Sequence, residues 1–175
     1  MSRNNPFDRG QSKTQVAATQ VGRVSAFPDV NWGSTERVKP FLTNHMVYCM
    51  VVKNNSGGAL LPGYVVTFES GYWGSQVDAV AGAGAVGHGI VDEYLPAAGV
   101  PDGSYFYIVR RGPTECVQST GVAQTQGALT KTAAAGKCVA DAADPCVIGC
   151  FGSIITTSAA TADIDVRVYC NFEGK

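Results

Sequence analysis

Gly82, Gly84 and Gly87, inside the stretch AGAGAVGHG, stand in the spacing G-x-G-x-x-G. In some proteins that pattern cradles a dinucleotide pyrophosphate, provided the glycines close a strand and open a helix whose N-terminal N–H groups face the phosphates. The residues that follow, HGIVDEYLPAAGVPDG, are interrupted by Gly89, Pro96 and Pro101. Proline inside a helix removes a hydrogen bond and clashes with the preceding turn, so the crossover helix of a βαβ unit is not expected. Asp102 falls near the distance of a ribose ligand, but Pro101-Asp102-Gly103 is a turn sequence. The glycines are instead expected to supply positive φ, bulges or room for a second backbone between strands, and no cofactor is expected.

Two histidines, His45 and His88, are too few for a three-histidine metal site. His88 would need a nucleophile or an orienting carboxylate to act as a base, a role the sequence neither gives to nor withholds from Asp92 and Glu93, and a structurally bonded imidazole is the expectation. The six cysteines, Cys49, Cys116, Cys138, Cys146, Cys150 and Cys170, contain no C-x-x-C pair. Cys49, Cys116 and Cys170 lie in apolar runs and are expected to be small buried hydrophobes. Late oxidation to a disulfide in an oxidising medium stays open. Arg110-Arg111 could bind an anion or simply end a strand, and Asp163 and Asp165 read as the solvated side of one. The chain holds no G-x-S-x-G, H-E-x-x-H, P-loop or Ser-x-x-Lys pattern, so no catalytic and no metal-binding residue is assigned.

The elements that must position these groups follow from composition and period. A chain of 175 residues with 45% hydrophobic and 15% charged residues can fill one core. Its 13 basic and 14 acidic residues leave a net charge of −1, without the basic footprint that nucleic acid or an anionic membrane requires. The N-terminus lacks the apolar region of a secretory signal, and no run approaches the length of a membrane span.

The composition changes near Pro40. Residues 1–42 are expected to form an extended N-terminal arm, because polar residues with scattered apolar ones cannot offset their chain entropy alone. Phe7, Phe27, Trp32 and Phe41 are spaced along it like separate anchors for a partner. Residues 43–175 are expected to form the folded domain. HMVYCMVVK, ALLPGYVVTFE, SQVDAV, GIVDEYL, SYFYIVRR, TECVQ and CVIGCFGSII are short apolar and β-branched runs separated by Gly and Pro. In the final segment, ATADIDVRVYC, Ile164, Val166, Val168 and Cys170 alternate with Asp163, Asp165, Arg167 and Tyr169, the period of a strand with one buried face. The class is all-β, a compact antiparallel β-sandwich or β-barrel. On this division, deleting residues 1–38 should remove binding and spare folding.

The order of segments resembles the small head decoration, or capsid cement, proteins of tailed bacteriophages. Four phrases carry the resemblance: Gly58-Leu61-Gly63-Val66; Gly89-Ile90-Val91-Asp92; Gly103-Tyr105-Phe106-Val109-Gly112-Pro113; and Gly127-Leu129-Thr132-Gly136. It covers roughly residues 45–172 and leaves the first forty outside. It implies a noncatalytic virion structural protein, made in the host cytoplasm and seated on the outer capsid surface. Its partner would be the major capsid protein, it would often be a homotrimer, and it would stabilise the shell by bridging capsid subunits. Many copies on one shell add up through avidity. The alternative from another class is a β-sandwich carbohydrate- or peptide-binding module using Tyr72, Trp73, Tyr94 and Tyr105. An enzyme of unrecognised type comes third.

Overall fold

The computed structural model describes residues 16–29, 45–119, 121, 123–141, 150–156, 158 and 165–173. Among these residues ten strands form one sheet: β1 (Val24–Pro28), β2 (Met46–Asn54), β3 (Val65–Phe68), β4 (Gln76–Val80), β5 (Gly89–Val91), β6 (Tyr105–Val117), β7 (Leu129–Thr132), β8 (Cys138–Ala140), β9 (Cys150–Ile154) and β10 (Asp165–Asn171). Among the described residues the helical content is two single 3-10 turns, at Ala18–Gln20 and Ala134–Gly136. The all-β class is therefore as expected. The arrangement is mixed rather than purely antiparallel, because Lys53 and Asn54 of β2 run parallel to Gln76 and Val77 of β4.

Strand order is β1-β2-β4-β3-β5-β6-β10-β9-β7-β8, and β2 also pairs with β6. That extra pairing closes the circuit β2-β4-β3-β5-β6. β2 has room for both neighbours on one edge because its first half pairs with β1 and its last two residues with β4. β6 is likewise shared: Tyr105–Arg111 pair with β2, and Arg111–Val117 pair with β10. Gly112 sits at the changeover with φ 110°, and a Cβ there would lie 2.5 Å from the Met46 carbonyl oxygen. Only glycine permits both that dihedral and that approach.

Period-two alternation sorts the apolar residues onto two faces, and here both faces are buried. Val52, Val66, Val77, Val91, Phe106 and Ile108, one or two from each strand of the circuit, gather with Leu60, Leu95 and Val100. The intervening residues Val47, Cys49, Val51, Val65, Ile90, Tyr107 and Val109 face the other way and pack with Phe151, Ile154, Val166, Val168 and Cys170 from β9 and β10. A run such as VYCMVV is apolar throughout because each half of the alternation has its own core.

β1 corrects the expected arm. Val24–Pro28 pair with Met46–Met50 along their whole length, and Val16 and Phe27 belong to the larger core cluster. β1 ends at Pro28 and β2 begins at Met46, and the flanking residues are joined by a backbone hydrogen bond from the Asp29 N–H to the His45 oxygen at 3.1 Å. Residues 16–29 are thus part of the fold.

Candidate functional site

The sequence-selected contact residues separate at once. Phe27 is 2% exposed and meets Tyr107 edge-to-face at 5.4 Å; it is a core residue, not a free anchor. It looked free because one aromatic among Ser, Ala and Pro has no periodic partners, and its neighbours in space, Val47 and Tyr107, come from other strands. Phe7, Trp32 and Phe41 lie outside the described residues.

The glycine stretch joins two strands. β4 ends at Val80 and β5 begins at Gly89, with no helix for a phosphate to face. Gly84 has φ 69° and its N–H donates to the Thr132 oxygen at 3.1 Å, while the Thr132 hydroxyl donates to the Ala85 oxygen at 2.6 Å. The stretch is therefore where β7 docks against the circuit. Gly87 is needed for space, since a Cβ would fall 2.5 Å from Val65 Cγ1 and 3.1 Å from the Phe172 ring.

His88 is 7% exposed. Its Nδ1 accepts the Phe68 backbone N–H at 3.1 Å. The ring stacks on Phe68 at 4.8 Å and meets Trp73 edge-on at 4.8 Å. Burial, then the nearby Arg110 charge, pushes its pKa below the ordinary imidazole value. The two neighbouring carboxylates serve elsewhere: Asp92 accepts from Tyr94 N–H at 3.2 Å and lies 3.7 Å from the Cys49 thiol, and Glu93 pairs with Arg167. Arg110 donates to the carbonyls of His88 and Phe172, and Arg111 pairs with Glu173 at 3.1 Å while lying over the Tyr48 ring. Both arginines thus already have internal partners.

A buried ion cluster was not visible in the sequence. Arg167, 5% exposed on β10, donates to Asp29 Oδ1 at 2.6 Å and faces Glu93 at 3.5 Å. Burial lowers the guanidinium pKa, but Glu93 and Asp29 outweigh it and the net shift is upward. These residues are 138 and 74 positions apart from Arg167, so spacing carries no signal. The alternation that put Arg167 on a polar face was right about the face but not about its burial.

Beside Glu93 opens a cleft of about 380 Å³ lined by Leu61, Pro62, Tyr64, Ala97, Glu115 and Asp165. Cys49, Cys116, Cys138 and Cys170 are buried thiols outside any disulfide. Burial, then a hydrogen bond with Cys138 and the other nearby groups, push the Cys116 thiol well up, the opposite of an activated nucleophile. Cys146 lies outside the described residues. No group of three or more His, Cys, Asp or Glu among the described residues has metal-binding geometry.

Among the described residues the exposed aromatic surface is the turn between β3 and β4, where Tyr72 is 50% and Trp73 66% exposed. Tyr105 and Phe106, adjacent on β6, point to opposite sides: Phe106 enters the circuit's cluster and Tyr105 packs on the other.

No family model matches the chain, and no curated protein matches it. Among solved structures it is similar to the head fiber gp8.5 N base in bacteriophage phi29, at 12% identity and a TM-score of 0.48, over 73% of this chain and 96% of that one. A likeness of that depth assigns no function.

Proposed function

We propose that this chain is a noncatalytic virion structural protein. It binds the outer surface of an assembled phage capsid and stabilises the shell by bridging subunits of the major capsid protein, acting as a homotrimer. The observation that carries the reading is the structural role of the glycines in its phage-like phrases. Gly63 (φ 80°) precedes β3, Gly103 (φ 71°) precedes β6, Gly112 (φ 110°) bends β6, and Gly127 (φ 84°) and Gly136 (φ 71°) precede β7 and β8. With Gly89 as the first residue of β5, each phrase of the resemblance marks the start or bend of a strand, which is what a shared architecture would preserve.

The internal chemistry supports the same reading. His88, Arg110, Arg167 and Glu93 make internal hydrogen bonds and ion pairs, giving a rigid, nearly neutral body suited to repetitive docking. Contact with the shell falls to Phe7, Trp32 and Phe41, with Phe27 withdrawn from that set. Aromatic anchors of this kind are each worth a few kcal/mol, roughly 2–4, when buried in an interface.

Cryo-electron microscopy of particles from the source, with light scattering on the free protein, tests the proposal. Density for the chain on the outer shell and a trimeric mass are expected; particles without it, together with a monomer, would overturn the reading. The exposure of Tyr72 and Trp73 favours the carbohydrate-binding alternative as a second reading. It predicts a monomer whose glycan affinity is lost in Trp73→Ala.

A further inference from the structure

The Phe68 N–H has an unusual acceptor, and the reason lies in where β5 begins. Val66 accepts the His88 backbone N–H at 2.8 Å, so Val66 turns its polar groups toward β5. Phe68, two residues further along β3, turns its N–H to the same side. The β3–β5 ladder consists of Val65 with Ile90 and Val66 with Gly89, and it offers Phe68 no backbone carbonyl. The His88 imidazole replaces the missing strand and accepts this hydrogen bond at 3.1 Å.

That role requires a neutral ring with its lone pair on Nδ1. A protonated imidazole would place one N–H against another and add a cation beside Arg110. We propose that His88 is a pH-sensitive latch: neutral, it fastens the β3–β4 turn that carries Tyr72 and Trp73, and protonated, it lets that turn go. The groups around the ring do not counteract this. β6 presents the Arg110 guanidinium, which binds the His88 oxygen. β3 and the turn present the rings of Phe68 and Trp73. Asp92 and Glu93, next along the chain, hold Cys49, Tyr94 and Arg167, and Glu173 acts on Arg110.

The sign follows from linkage. The released ring takes a proton near the ordinary value of about 6.5, and the latched ring binds it less readily. The latch is therefore fully fastened above about 6.5 and loosens as the pH falls from there through the value of the latched ring. A contact made through the exposed Trp73 would be weakened by mild acid.

Amide hydrogen exchange of the full chain between pH 7.5 and 5, corrected for the intrinsic rate, reads Phe68 directly. Titration of both imidazoles by NMR, assigned with His45→Asn, reads the proton. Phe68 protection should fall by up to about tenfold for each unit that His88 lies below 6.5. His88→Asn keeps an acceptor near the Nδ1 position and removes the proton site, so its Phe68 protection should not change with pH. Equal loss in wild type and His88→Asn, flat protection in the wild type, or a His88 titration at or above 6.5 would each overturn the latch. Should His88→Asn not fold, His88→Gln and the wild-type titration still decide it.

Discussion

Replacing Phe27 by alanine distinguishes a core residue from a surface anchor. The ring is 2% exposed, lies opposite Val47 in the β1–β2 register and touches Tyr107 edge-to-face at 5.4 Å and 77°. Phe→Ala in such a site costs about 3–5 kcal/mol, the lost burial and the cavity together, and the aromatic pair falls within that sum. At about 2–4 °C per kcal/mol for a chain of this size, the melting temperature should fall by about 6–20 °C. Calorimetry and urea melts on the free protein measure it, and an unchanged urea slope would show that the change lies in stability alone. Deleting residues 1–29 should cost more, because Val16 and Asp29 leave with Phe27. A melting temperature within about 2 °C of wild type, with particle binding lost, would refute the placement of Phe27 and restore the free arm.

Arg167→Met should destabilise by about 3–5 kcal/mol, because it leaves the Asp29 and Glu93 carboxylates buried beside an apolar chain; adding Asp29→Asn and Glu93→Gln should recover part of that loss in urea melts. The glycines of the G-x-G-x-x-G spacing should respond unequally to alanine. Gly82→Ala should be neutral within about 0.5 kcal/mol, since a Cβ there meets nothing within 4 Å. Gly84→Ala should cost about 1–2 kcal/mol for its left-handed backbone, and Gly87→Ala about 1–3 kcal/mol for overpacking against Val65. Millimolar NAD or ATP should leave the wild-type melting temperature unmoved; a shift of several degrees would mean a bound nucleotide. Cys49, Cys116, Cys138 and Cys170 should resist a thiol reagent until the chain unfolds, given their burial, and reducing agent should not change the melt. Rapid labelling of any of them in the native protein would contradict that burial.

The strand content was legible in the sequence because it is a local property. Alternation in Val166-Arg167-Val168-Tyr169-Cys170 and the short apolar runs between glycines specify extended chain before any long-range contact forms. The role of AGAGAVGHG was also readable, because the prolines and glycines after it forbid the helix that a phosphate site needs. Burial of polar groups was not readable, since it depends on what packs against them. Asp29, Glu93 and Arg167 become an ion cluster only when β1, the segment after β5 and β10 meet. Phe27 likewise looked like an anchor because its strand is short and set in a largely polar stretch of sequence, and β1 becomes a strand only by pairing with Met46–Met50, whose hydrogen bonds and core surface supply what its own sequence lacks. The closure of β2 onto both β4 and β6 is decided the same way. Period fixes which face of a strand is apolar, whereas the partner that covers it is chosen by the fit of the whole chain.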